Sequence, residues 1–427
     1  MGTLYWRVAI LVTRRLRMVM PTAFRRFGAA WSLALLPAVF APGTAHALDG
    51  DRIRPSIGVV GTYYSNLFYL DDRQPVGAFL KNGQRSDFSY GLRGGIAADY
   101  YFGRQFLTIN GTATQSQFQT YGNLDNVAYN GRAALNWVIG ADWSGDLGGT
   151  YNENLGSFAD VRTNQKNLRT AQTLFGSALY RVYYDWSLRA ALTQTTLENS
   201  AINFRQGNQD ITVYEFGTRY YSKGGDSFLG LNFKNTDGKF PNRVFSSGSL
   251  VDSSYYQRDL QGTVDWRYSG ETRLSGAVGW TNRQHEQLSQ RNFTGVTGRV
   301  TLSYAYSGKT AINTTLRRDI GALDNVTSNF ILTQGFNVGP SYALSGKVTL
   351  TASYDYSQRK FLGDPGFILT HIPVRVDNIQ SVNIGVQYTP ARNVSISANL
   401  SQAVRSSNRP LSDFSATTLT VTGQVTF

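Results

Sequence analysis

The sequence predicts a transmembrane antiparallel β-barrel of about 18 strands, preceded by an N-terminal signal peptide. Apolar and polar residues alternate from about Ile53 to Phe427, which is typical of strands with one apolar and one polar face. Tight polar turns separate these segments at similar intervals. Aromatic residues make up 13% of the chain although its mean hydropathy is −0.28, a combination typical of strands that are half exposed to lipid.

The first 47 residues have the pattern of a secretory signal peptide. Arg25 and Arg26 precede a short apolar run, and Ala45-His46-Ala47 is a small-x-small cleavage site. We therefore expect residues 1–47 to be removed and residues 48–427 to form the barrel. Arg7, Arg14, Arg15 and Arg17 lie upstream of an already complete signal. The translation start could lie near Met18 or Met20, or the long N-terminal region could be genuine.

Composition excludes several classes of protein. Without the six leader arginines, the chain has 35 Lys and Arg residues and 28 Asp and Glu residues. The resulting net charge of +7 is low for a nucleic-acid binder. The chain has no Cys, and only His285 and His371 follow the leader, so we expect no metal or other cofactor. No apolar run approaches the length of a membrane-spanning helix. A soluble β-sandwich would share the alternation, but would not account for the leader.

The turns give the strand count. Eight tight turns are predicted, and three of them begin with Ser-Gly, where we expect glycine to supply a positive φ. They lie at 103–104, 140–144, 183–185, 223–226, 269–272, 307–310, 345–347 and 390–393. Nine longer loops must alternate with eight turns, and this predicts 18 strands. Sixteen strands is the second choice, because residues 145–166 are rich in glycine and weakly patterned.

The alternation also assigns the two faces of the wall. In the last strand, Leu419 and Val421 belong to the row predicted to face lipid, and Thr420 and Thr422 to the row predicted to line the lumen. The same rule predicts lumen-facing charges at Arg93, Arg132, Arg189, Arg219, Arg267, Arg299 and Arg317, with acids at Asp99, Glu215, Asp265 and Asp355. An excess of arginine favours an anion path. Alternatively, arginine–acid pairs brace the wall.

Catalysis is not predicted. His285 lies near Glu286 and Ser289, but in a solvated loop segment and without a recognisable oxyanion motif. The three longest loops, 69–84, 237–254 and 360–374, could fold inward and narrow a pore, or could cover its rim.

The end of the chain resembles the last strand of bacterial outer-membrane barrels, in which a terminal aromatic residue such as Phe427 is part of the signal read by the barrel assembly machinery. This resemblance implies outer-membrane lipid as the surroundings.

Further segments resemble the EpsL-type outer-membrane proteins of exosortase-associated exopolysaccharide operons. They are residues 61–70, 236–245, 249–252, 290–295 and 317–321, and Pro241-Asn242-Arg243 is the most specific part. The resemblance implies a channel that exports an exopolysaccharide, working with periplasmic export proteins and inner-membrane biosynthesis machinery. A general or solute-specific uptake porin, and a non-conducting barrel that anchors a secretion complex, stay open as alternatives.

Overall fold

The computed structural model describes residues 53–74, 80–161, 163–242, 254–286, 289, 292–322, 330–362 and 373–427. The expected signal peptide, the candidate starts at Met18 and Met20, Arg243 and His371 lie outside these ranges.

The described residues form 18 antiparallel strands, and this confirms the predicted fold class and count. Three short 3-10 helices, at Lys81–Gly83, Gly122–Leu124 and Ile202–Gly207, lie in the connections. None of the helices in the described ranges is long and apolar enough to cross a membrane. The strands are β1 (Ile53–Tyr64), β2 (Asp87–Phe102), β3 (Gln105–Phe118), β4 (Asn126–Ile139), β5 (Trp143–Leu155), β6 (Leu168–Tyr183), β7 (Trp186–Asn199), β8 (Gln209–Tyr221), β9 (Phe228–Lys239), β10 (Tyr255–Arg267), β11 (Thr272–His285), β12 (Phe293–Ala305), β13 (Thr310–Ala322), β14 (Phe330–Ser345), β15 (Val348–Leu362), β16 (Val376–Ala391), β17 (Val394–Ser407) and β18 (Phe414–Thr426).

The sheet closes on itself. Each strand pairs with its neighbour in sequence, and β1 pairs with β18 from Ser56 opposite Thr426 to Tyr64 opposite Thr418. The backbone N–H of Phe427 donates to the carbonyl of Pro55 at the end of this seam, 2.8 Å away. All eight predicted turns lie between consecutive strands at one end of the barrel, here called the turn end. The nine longer connections lie at the opposite, loop end.

The glycine-rich segment is a full strand, so the 16-stranded alternative is wrong. β5 pairs along its length with β4 and β6. A Cβ on Gly148 would lie 2.4 Å from the carbonyl oxygen of Ala133 and 2.7 Å from the ring of Phe175. Glycine is thus required here by the close approach of a neighbouring ring, and this requirement weakens the alternation that sequence analysis relies on.

The three Ser-Gly turns differ from the prediction in their mechanism. Gly270, Gly308 and Gly346 do not adopt the left-handed conformation. Instead the serine hydroxyl oxygens of Ser269, Ser307 and Ser345 each accept hydrogen bonds from the backbone N–H groups two and three residues later, at 3.1–3.3 Å. The three repeats thus share a turn that is closed by the serine hydroxyl.

The two faces of the sheet differ as the alternation predicts. One row of each strand exposes large apolar side chains, for example Leu192, Leu260, Ile384 and Val421. The opposite row carries hydroxyl, amide and charged side chains, which bond across strands, as Thr62 does to Thr420 and Thr301 to Thr315. Side chains of this polar row on the four strands β4–β7 line one cavity. Because four consecutive strands converge only on the concave side of a curved sheet, the polar rows face inward.

Candidate functional site

The candidate site is the inner wall of the barrel together with the loops that narrow its loop end. Each sequence-predicted lumen residue belongs to an inward-facing row by its strand register, but most of the arginines are not free. Four of them form ion pairs: Arg189 with Glu215 at 2.6 Å, Arg267 with Asp226 at 3.4 Å, Arg299 with Asp319 at 2.6 Å and Arg317 with Asp355 at 2.8 Å. The first and third of these pairs join neighbouring strands, the second joins β10 to the β8–β9 turn, and the fourth reaches across β14 from β13 to β15. All four cancel much of the local charge.

Asp265 has a partner that the sequence did not indicate. The guanidinium of Arg273 on β11 donates two hydrogen bonds to its carboxylate, from Nε and from one terminal nitrogen, both 2.6 Å long. Asp265 lies opposite Ser275 in the ladder, so Arg273 reaches it diagonally from two residues away. Arg267 instead forms its ion pair with the turn residue Asp226. The odd or even position of a residue along its strand identifies the face on which its side chain lies. Only the pairing register between strands identifies its partner.

Three predicted arginines have no carboxylate partner within the described part of the chain. The Arg132 guanidinium lies over the Phe175 ring, with 4.9 Å between guanidinium carbon and ring centroid, and Arg219 lies over Phe228 at 4.3 Å. Arg93 lies mid-strand on β2, opposite Gly58 and Thr114. These three arginines form no ion pair within the described ranges, although Arg219 still interacts electrostatically with Asp265 and Arg132 shares a cavity with Asp146.

Three of the loops at the loop end converge on an apolar cluster. It is formed by Leu67, Phe68, Leu70 and Leu80 of the β1–β2 loop, Phe118, Tyr121 and Leu124 around the β3–β4 loop, and Phe158 of the β5–β6 loop. The Phe68 side chain is fully buried, and its ring centroid lies 4.8 Å from that of Tyr121 and 5.0 Å from that of Phe158. Burial raises the pKa of the Tyr121 phenol, whose hydroxyl donates to the carbonyl of Gln84. Loops that share a core hold one another in place.

The β5–β6 loop also crosses the barrel opening. The Asp160 carboxylate accepts hydrogen bonds from both terminal nitrogens of Arg359 on β15, at 3.1 and 3.2 Å, and from Arg405 on β17, at 3.2 Å. β6 and β15 are nine strands apart in a ring of 18, which is half of the circumference. A loop fixed at one side of the opening and bonded at the other narrows the mouth. We call Asp160, Arg359 and Arg405 the mouth bridge.

Buried charges support the far side of the mouth bridge. Arg405 is 2% exposed, and its Nε donates to the carbonyl of Ser412 at 2.7 Å. Its guanidinium lies 3.8 Å from the fully buried carboxylate of Asp377, which also accepts two hydrogen bonds from Arg375, at 2.9 and 2.6 Å, and one from Ser407, at 2.6 Å. Each buried charge thus has several partners, so the arrangement is held firmly.

Sequence analysis missed the mouth bridge. Arg359 and Arg405 lie in inward rows near strand ends, so the alternation contained a signal for them. Asp160 lies in a loop, where no alternation marks its role, and its partners are 199 and 245 residues away in the sequence.

The other sequence-predicted residues are less informative. Pro241 and Asn242 form an exposed turn after β9. The backbone N–H of His285 donates to Asn292, and its ring centroid lies 5.8 Å from that of Tyr255 on the inner wall. Within the described ranges, no group of three or more His, Cys, Asp or Glu residues could hold a metal ion.

Comparisons with known proteins agree with this architecture. Residues 243–427 match the family described as "Putative beta-barrel porin 2". The protein is an 18-stranded β-barrel of the bacterial outer membrane, and its C-terminal part is similar to a porin family. The matching family is a family of channels and not of enzymes. In bacterial barrels of this kind the short turns face the periplasm, and we expect the same of the turn end here. The match covers the C-terminal part of the chain only and does not test the EpsL-type resemblance. No curated protein matches the sequence.

Solved porin structures are similar in fold. OccK9 (OpdG) of Pseudomonas aeruginosa has 13% identity and a TM-score of 0.48, with 88% of this chain and 98% of that chain covered. A BenF-like porin from Pseudomonas fluorescens Pf-5 has 9% identity and a TM-score of 0.48, with 88% and 99% covered. OpdK of Pseudomonas aeruginosa, solved with vanillate, has 13% identity and a TM-score of 0.47, with 88% and 99% covered. These similarities carry no inference about the solute of this barrel.

Removing the charge of Asp160 should open the mouth. Asp160→Asn keeps the shape of the side chain but loses charge-assisted hydrogen bonds worth about 1.5–3 kcal/mol, so the detached loop becomes at least about tenfold more populated. We expect larger and noisier single-channel conductance in planar bilayers. Asp142→Asn, an exposed change at the turn end, is the matched control. Identical conductance traces for both variants would contradict a narrowing role for the bridge.

Proposed function

We propose that the protein is a passive channel for small polar solutes, with a preference for anions and a mouth narrowed by its own loops. The mouth bridge is the observation that carries this proposal. An 18-stranded barrel is wide enough to leave an aqueous path. The β5–β6 loop, bonded across its opening, reduces that path to a size that suits small solutes better than a polymer.

The inner wall supports passive movement. Its rows of Thr, Ser and Asn offer many hydrogen-bond partners, none of them strong enough to hold a solute for long. The paired arginines contribute little net field. Arg93, Arg132 and Arg219 contribute the uncompensated part, and a single charge about 8 Å away in water changes the local anion concentration by a factor of roughly two.

Exopolysaccharide export is the second candidate. It is supported by the EpsL-type resemblance and by the same hydrogen-bonding rows, which would also suit sugar hydroxyls. In this case the polymer, its periplasmic export proteins and the inner-membrane machinery are the partners, and the mouth bridge must open during transport. A non-conducting barrel that anchors a secretion complex is the third reading.

Ion selectivity tests the charge argument. The purified barrel should conduct in planar bilayers, and its reversal potential in a KCl gradient should show anion preference. The triple variant Arg93→Gln, Arg132→Gln, Arg219→Gln should move the reversal potential towards zero or beyond. The control Arg317→Gln with Asp355→Asn removes a neutral pair and should leave it unchanged. Absence of conductance would favour the anchoring reading, and equal shifts in the two variants would refute the assignment of free and paired charges.

A clean deletion separates the two transport candidates. We expect the deletion strain to retain surface polysaccharide and to lose permeability to small anions, measured as uptake from dilute medium. Complementation with the wild-type chain should restore uptake. Loss of surface polysaccharide with unchanged uptake would replace our proposal with the export function.

A further inference from the structure

The inner wall of the described residues contains a shallow, open cavity of about 290 Å³ between β4 and β7. Arg132 of β4, Asp146 of β5, Phe175 and Ser177 of β6 and Arg189 of β7 line it. This volume lies near the lower end of the range found for small-molecule sites. The cavity opens to the lumen, so a solute can enter it without any movement of the wall.

The charges around the cavity differ in how well they are satisfied. Arg189 is bound to Glu215 at 2.6 Å, and the Asp146 carboxylate accepts a 2.6 Å hydrogen bond from the Ser177 hydroxyl. Arg132 has neither an ion pair nor a hydrogen bond within the described part of the chain. Its guanidinium lies over the Phe175 ring, and no hydrogen bond in the described ranges uses its N–H donors, so they can bind a ligand.

Phe175 is unusual for its row. Its neighbours in the same inward row are Thr173 and Ser177, and Leu179 follows them, while Leu174, Tyr180 and Val182 belong to the outer row. Gly148 on the adjacent strand leaves space for the ring, because a Cβ there would lie 2.7 Å from the ring carbon Cζ. Because the Arg132 guanidinium lies over this ring, an anionic group can pair with the guanidinium while the ring that carries the anionic group packs beside the two stacked groups.

We propose that this cavity is a binding subsite for small carboxylates attached to a six-membered ring. The carboxylate pairs with Arg132, the ring packs against Phe175, and the short side chains of Ala191 and Thr193 leave the remaining space. Asp146 repels the anion from the other end and so fixes its orientation. The inference deepens the proposed function, on which it rests, because the ligand reaches the subsite through the lumen.

Ligand-observed NMR titrations of the refolded barrel in detergent test the subsite without requiring conductance. Benzoate and galacturonate represent aromatic and sugar rings that carry a carboxylate, and benzyl alcohol and galactose are their neutral counterparts. We expect at least one carboxylate to bind more tightly than its neutral counterpart. Arg132→Gln should weaken that binding about tenfold, as expected for a lost charge-assisted hydrogen bond.

Two further variants and one control complete the experiment. Phe175→Leu should weaken binding, and Asp146→Asn should strengthen it severalfold while keeping the acceptor for Ser177. Arg181→Gln makes the same charge change at the turn end of β6, the strand of Phe175, outside the cavity, and should have no effect. The proposal is overturned if neither carboxylate binds a barrel that conducts, or if Arg181→Gln weakens binding as much as Arg132→Gln. Binding by a barrel that does not conduct supports the subsite and refutes only the channel function.

Discussion

The structure depends on one constraint: every backbone N–H and C=O group within the membrane must find a partner in the chain itself. Lipid offers no hydrogen bonds, so a sheet is stable there only if it has no free edge. The β1–β18 ladder removes that edge. Once the ring is closed, the twofold alternation of side chains necessarily divides the chain into a lipid row and a lumen row, and the functional chemistry is restricted to the second.

Because of this constraint, much of the architecture could be predicted from the sequence. Turn spacing predicted the number of strands, and parity placed Arg317 and Asp355 on one face. Pairing within a face depends on register, and for that reason Asp265 pairs with Arg273 while Arg267 pairs with Asp226. The Ser-Gly repeats were located correctly but explained by the wrong residue. The mouth bridge could not be predicted, because its contacts join a loop to strands seven and nine positions away around the ring.

The inner wall combines two uses of arginine that look alike in sequence. Paired arginines such as Arg299, whose partner Asp319 is on the next strand, brace the wall and carry little net charge, while Arg93, Arg132 and Arg219 form no ion pair within the described ranges. A wall in which most charges are paired can be wet and rigid without holding every passing ion. The loops add size selection at the mouth, and the cavity beside Arg132 adds a place where one class of solute can pause.

The central claim is that the β5–β6 loop spans the mouth in the resting barrel. The chain contains no cysteine, so Asp160→Cys with Arg359→Cys introduces the only thiols. A short bis-thiol reagent should join them in the folded barrel, and the linked channel should keep the conductance of the wild type rather than that of a barrel with a detached loop. Failure to cross-link, or a linked channel that conducts far less than the wild type, would contradict the account.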